Sequence, residues 1–207
     1  MDLKDIETLI KSKRKELEML MHRKLPVTVG RMAKDHFQDN FRQGGFVNRG
    51  LHPWPEAKRL SSGGTDAASN YGTLLSGRKH LFKSIGYTPS DSRVRVFNEV
   101  IYAPIHNWGG EIDVNVTDRM RRFAWAKFYK ASGKRRKKAT GQKKRTRKSS
   151  KAEQLNPQAQ FWKNMALTKK KVLHIHIPQR QFMGESAELN EQIRKKVDQE
   201  IENILNS

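Results

Sequence analysis

Three places in the chain hold residue types whose spacing suggests chemistry. Gly72-Thr73-Leu74-Leu75-Ser76-Gly77-Arg78-Lys79 resembles a phosphate-binding loop in its two glycines. That motif needs Lys directly after the second Gly to reach the β/γ-phosphates and then a hydroxyl for Mg²⁺, and Arg78 and Lys79 stand in those places. No strand pattern precedes it either, so no nucleotide hydrolysis is expected. His174 and His176 alternate along an extended run, which puts both on one face where they could share a metal. Their neighbours offer no third ligand at useful spacing, so a half-buried or interface pair is the expectation. His106 stands beside Trp108-Gly109-Gly110 with no serine or carboxylate placed to make it a general base. The most acidic stretch, Glu185 to Glu202, reads as an ordinary helix face, and cysteine is absent, which removes thiolate chemistry. The pattern of a nucleophile elbow, a His-Glu-x-x-His pair or a dinucleotide fingerprint does not occur. The chain is therefore read as non-enzymatic, with no metal and no cofactor.

The remaining chemistry is charge. The 207 residues carry 42 Lys and Arg against 21 Asp and Glu, a formal +21. Eleven of the basic residues fall in one acid-free run: Lys134, Arg135, Arg136, Lys137, Lys138, Lys143, Lys144, Arg145, Arg147, Lys148 and Lys151. The run has nothing apolar with which to offset its ordering entropy, so it is expected to be mobile. Two readings stay open for it. It is a solvated insertion that maintains solubility, or it contacts phosphate or another polyanion through counterion release, without an aromatic of its own to read bases.

These residues need elements to position them. The length favours one domain, residues 1–207, with appendages, and an apolar content of 35% leaves part of the chain outside any core. No apolar stretch approaches the roughly 20 residues that span a bilayer, and Met1 to Glu18 lacks the apolar region of a secretory signal. With the absence of cysteine, this places synthesis and folding in the cytoplasm. Asp2 to about Arg23 has helical apolar spacing and is expected to end at Pro26; a second helix should run through Arg31 to Gln43 and stop at Gly44-Gly45. A long loop is expected over 44–73. Leu74 to Ile85 reads as a short helix, and Arg93 to Phe97, Val100 to Ile105, Glu111 to Val116 and Val172 to Ile177 read as four strands. Thr117 and Asn156 cap two helices that flank the basic run, which makes a helix-loop-helix insertion with its loop at 131–155. Ser186 caps a last helix carrying Leu189, Ile193, Val197, Ile201 and Leu205 at a spacing of four. The expected fold is α+β: about four strands in a mainly antiparallel sheet, packed by the N- and C-terminal helices.

Four short motifs in fixed order are more specific than any of the three chemical candidates. They are Gly50-Leu51-His52-Pro53-Trp54; Leu75-Ser76-Gly77 with Leu81 and Ser84-Ile85; Tyr102-Ala103-Pro104-Ile105-His106-Asn107-Trp108-Gly109-Gly110; and Ile177-Pro178-Gln179-Arg180-Gln181-Phe182-Met183-Gly184. Together they resemble the phage virion morphogenesis family, the tail-completion proteins of contractile-tailed phages and related prophages. The resemblance runs from about Arg31 to Leu205. Trp108 stands where the family usually has Phe, the second motif is longer by two at Arg78-Lys79-His80, and the Lys134 to Lys151 run is not general in the family.

The resemblance implies a virion protein at the neck or tail end, assembled in the host cytoplasm, that completes the head-proximal end of the tail and supports head-tail joining by forming a ring. By analogy with the family the ring should have the sixfold symmetry of the tail, and it should meet the tail tube or tail terminator and the head-neck proteins. Residues expected at subunit or partner contacts are Trp54, Tyr102, His106, Trp108, Arg180 and Phe182. Trp108 either finishes a core or anchors a contact, and Arg180 either clamps an internal carboxylate or backbone carbonyl or reaches another subunit. In such a ring the basic run would face the lumen and the end of the packaged DNA, or the rim and acidic neighbours; phosphate density favours the lumen. A different class of function, a basic nucleic-acid-binding protein acting through Lys134 to Lys151 without a ring, follows from the charge alone.

Overall fold

The computed structural model describes residues 2–57, 60, 71–133 and 156–207. They form an α+β structure that divides into two compact units: Met1–Gly110 with Ile177–Ser207, and Glu111–His176. Among the described residues the strands make three separate antiparallel two-stranded ribbons, not the single four-stranded sheet that the alternation suggested. The eleven cations of the basic run lie outside the described residues.

In the first unit, Asp2 caps α1 (Leu3–Met19) by accepting from the Leu3 N–H, and Asp5 answers in a capping box. Pro26 does not end this helical path. A five-residue π turn, Leu20–Lys24, follows α1, and α2 (Leu25–Gln43) continues from it with Pro26 in its first turn. The wide turn is closed by the Leu25 N–H on the Leu20 carbonyl, and Pro26, which has no N–H to give, follows directly in the first turn of α2. Gly44, left-handed at φ 70°, closes α2 as the sequence predicts. The stretch 44–73 is not all loop, because β1 (Gly45–Val47) and β2 (Leu51–Pro53) pair as a short hairpin.

Residues 71–79 form turns, and the helix expected over Leu74 to Ile85 shrinks to α3 (His80–Lys83). Ile85 instead opens β3 (Ile85–Ser90), which pairs with β4 (Arg93–Asn98) from Ile85 opposite Asn98 to Ser90 opposite Arg93. Gly86 and Pro89 hide β3 from a propensity reading, yet the pairing compensates, since the Phe97 ring covers Gly86. Gly30 lets α2 lie close on this hairpin: a Cβ there would stand 2.3 Å from the Tyr87 ring. The apolar run Val100 to Ile105 is not a strand either. Val100 is in the core, Ile101 is in solvent, and Pro104 starts α4 (Ala103–Trp108), because a short apolar run alone does not distinguish strand from helix.

The core of this unit gathers Ala33, Phe37 and Phe41 of α2 with Trp54, Leu81, Ile85, Val100, Ala103, Phe182 and Leu189. Leu189 belongs to α7 (Ala187–Asn206), capped by Ser186. The stripe of this helix is buried only at its start, since Leu189 is 6% exposed and Leu205 61%.

The second unit is built on the ribbon of β5 (Gly110–Asn115) and β6 (Val172–Ile177), with the Val116 N–H donating to the Lys171 carbonyl at 2.8 Å. Between them, α5 (Asp118–Ser132, capped by Thr117) packs against α6 (Pro157–Leu167, capped by Asn156). Ala124 and Phe128 of α5 and Ala159 and Ala166 of α6 are buried. Asn156 also donates its Nδ2 to the Ala131 carbonyl at 3.0 Å, tying the start of α6 to the end of α5.

Leu189→Ala should cost about 2–4 kcal/mol, the range for deleting a buried leucine. Leu205→Ala should change stability by less than about 0.5 kcal/mol. Urea unfolding of the two variants measures the gradient, and equal losses would mean that the whole stripe is buried.

Candidate functional site

The third and fourth motifs meet in the first unit, where the segment Gln179 to Gly184 passes α4 without joining a ribbon. Side chains hold its backbone. The Phe182 and Met183 N–H groups both donate to Asn107 Oδ1, at 2.9 and 3.0 Å. The Phe182 carbonyl accepts from Asn40 Nδ2 at 3.1 Å and the Gln181 carbonyl from Trp54 Nε1 at 2.6 Å. The Arg180 N–H donates to the His106 carbonyl at 2.8 Å. Asn40 and Asn107 are both buried, and Asn40 Oδ1 in turn accepts from the Val47 N–H. Gly109 makes the approach possible. Its φ is 73°, and a Cβ there would sit 2.9 Å from the Gln179 nitrogen.

Four of the six expected contact residues face this junction, and their placements differ. Trp54 and Phe182, expected at a subunit or partner contact, are instead buried in the unit's own core, both packed on Phe41 with ring centroids 5.4 and 5.1 Å away. Arg180 is buried and turns inward: its Nε donates to the Pro55 carbonyl at 2.8 Å and its Nη2 to the Glu56 carbonyl at 3.3 Å. Of the alternatives for this guanidinium, the geometry is that of an internal clamp on backbone carbonyls. His106 is half-buried on α4, with Nδ1 enclosed and unpartnered. Burial, and secondarily the positive Arg180 beside it, lower its pKa from the ordinary 6.5.

Tyr102 and Trp108 lie at the surface. Tyr102 is 41% exposed, edge-on to His106, with its hydroxyl 3.1 Å from His80 Nδ1. Trp108 is 66% exposed and does not finish the core. It borders an apolar recess of about 450 Å³ lined also by Ala33, Phe37, Val96, Ala103, Pro104, Phe182 and Met183.

Sequence reasoning missed Asn40, Asn107 and Glu188 as organising residues. The Glu188 carboxylate receives the Arg49 and Gly50 N–H groups at 3.0 and 2.7 Å, and Asn48 Oδ1 receives the Ala187 N–H at 3.1 Å, so the β1–β2 turn and the start of α7 bind each other. These bonds, led by that from Gly50, hold the Glu188 carboxyl below its usual range. A signal existed for Asn40, a polar residue on the apolar repeat of α2. For Glu188 none did, because its partners are 138 and 139 residues away in the chain.

The other chemical candidates stay apart. Gly72 to Lys79 forms turns. His174 and His176 are exposed on β6; His174 Nδ1 lies 2.6 Å from Asp113 Oδ1 on β5, and no third ligand joins them. Among the described residues no group of three or more His, Asp or Glu could hold a metal ion. The chain matches no family model, no curated protein and no solved structure.

Asn107→Ala strands two backbone N–H groups and should cost on the order of 2–4 kcal/mol in urea unfolding. His106 and His36 should make stability depend on pH in one direction. Burial lowers both pKa values below 6.5, so the unfolded chain takes up protons first; stability is full above that value and declines as pH falls through it toward the lowered folded value. The melting temperature should therefore drop between about pH 7.5 and about pH 5.5, and His106→Gln should make that drop shallower.

Proposed function

We propose that this chain is a structural protein of a phage virion, which completes the head-proximal end of the tail and supports head-tail joining. It acts by assembling into a ring, sixfold like the tail, seated between the tail tube or tail terminator and the head-neck proteins, and it turns over no substrate. The neck or tail end of the particle is its place, after assembly in the host cytoplasm.

The observation that carries this reading is Trp108. The motifs on which the family resemblance rests converge on one packed junction, and nearly every side chain there is used internally: Trp54 and Phe182 as core, Arg180 as clamp, Asn107 as acceptor. What remains for an outside partner is the partly exposed Tyr102 and, foremost, a 66% exposed indole beside an apolar recess. A tryptophan of that kind is the residue type that dominates binding energy at subunit contacts. No nucleophile and base at this junction are placed for hydrolysis, whereas large buried aromatics and satisfied backbone groups suit a rigid subunit.

Trp108→Ala should leave the melting temperature within a few degrees of wild type, because an exposed side chain contributes little to the core. The same variant should lose the ring, read as a fall in native mass from a multiple of 24.0 kDa to the single chain. A wild-type protein that stays a monomer at assay concentration and with added tail tubes would overturn the ring. Loss of a hydrolytic activity in a variant of unchanged mass and stability would overturn the structural reading as a whole.

A further inference from the structure

The chain's charge is divided very unequally between its two units. Between Glu111 and His176 stand 20 Lys and Arg and 4 Asp and Glu, so this unit carries +16 of the +21. The excess does not depend on the basic run alone, since the unit's described residues hold 9 basic and 3 acidic side chains. A unit this rich in cations and poor in acids carries the electrostatic footprint of a partner that presents phosphates in series.

The second observation is aromatic. On α5, Arg122, Trp125, Ala126 and Tyr129 recur at the spacing of one helix face and line a recess. This face is not the buried one, which carries Ala124 and Phe128, and the ring contact of α5 with α6 is made by Phe123 on Trp162. Trp125 and Tyr129 lie nearly parallel, 28° apart with centroids 6.0 Å from each other, and both keep part of their surface open. Arg122, one turn before Trp125, is exposed and has no acidic partner among the described residues.

We propose that this face of α5 is a binding platform for single-stranded nucleic acid, with Trp125 and Tyr129 stacking unpaired bases and Arg122 contacting the adjoining phosphate. Charge selects a polyanion, and the rings select among polyanions. A duplex hides its base faces inside the helix, and an acidic polypeptide offers no π faces in register with its charges. A single strand presents both, and base stacking on aromatics is tolerant of sequence. The Lys134 to Lys151 run has no aromatic residue, so the platform supplies what the run lacks. This assignment is independent of ring formation.

The test is binding of the full chain to a fluorescein-labelled oligothymidylate of about 20 nucleotides, longer than a single binding module covers, and to a duplex of the same length. Wild type should bind the single strand more tightly than the duplex. Trp125→Leu with Tyr129→Leu should weaken single-strand binding on the order of tenfold without changing its salt slope, as loss of stacking does. Arg122→Gln should make the slope of log affinity against log salt shallower by about 0.7, the loss of one phosphate contact. Photocrosslinking of wild type to a 5-iodouracil oligonucleotide should map to α5, and this decides the matter if the double variant does not fold. Equal affinity for duplex and single strand, displacement by polyglutamate as effective as by oligothymidylate, or crosslinks that fall only outside α5 would each overturn the proposal.

Discussion

The backbone of Arg180 to Met183 runs through the interior of the first unit with no neighbouring strand to pair it. Buried N–H and C=O groups left without partners would each cost on the order of 1–3 kcal/mol, so side chains have to replace the missing ladder. Asn107 takes two N–H groups, Asn40 and Trp54 supply donors to two carbonyls, and the His106 carbonyl takes a third N–H. Much else depends on this substitution. Asn40 fixes α2 to the end of the β1 strand through Val47, and Trp54 brings the end of β2 to the same place. Gly109 gives α4 the sharp exit that brings Asn107 within reach, and Phe182, held from both sides of its peptide, fills the core beside Phe41.

This division of labour explains why so few polar groups of the motifs are free. A guanidinium that donates to the Pro55 and Glu56 carbonyls closes the path of the chain after β2. The Glu188 carboxylate does the same for the β1–β2 turn, from the first turn of α7. Polar residues inside this unit act as brackets between segments far apart in sequence, and their chemistry is used up in doing so. The second unit has the opposite economy, with a small alanine-rich helix contact inside and most of its described cations exposed.

Sequence periodicity was a good guide wherever the controlling physics is local. Thr117, Asn156 and Ser186 each accept from a backbone N–H three residues on, so their caps follow from a few neighbouring residues. The Val172 to Ile177 alternation gives β6 to the residue. Failures occurred where a tertiary partner decides. Gly86 and Pro89 argue against β3 until Phe97 and the rest of β4 lie beside it. Pro26 reads as a stop unless the preceding turn widens to a π turn, which no periodicity announces. Val100 to Ile105 was apolar enough for a buried strand, but Pro104 suits the first turn of a helix better. In the site, Arg180 and Trp108 were legible as residues of consequence, while their directions, inward and outward, depended on segments that only the folded chain brings together.

The bond from Asn156 to the Ala131 carbonyl has a consequence for how this protein tolerates change. It brings the two flanks of a 24-residue stretch to one point, so whatever lies between them departs from and returns to the same place on the helix pair. For any flexible segment joined at two such neighbouring points, the free energy of closure rises only with the logarithm of its length, about 0.6 kcal/mol for each doubling. The helix pair therefore accepts a segment of varied length or composition between these two residues with little strain on α5 and α6. That bond makes the junction a port, at which one cargo of charge can be exchanged for another while the scaffold stays as it is.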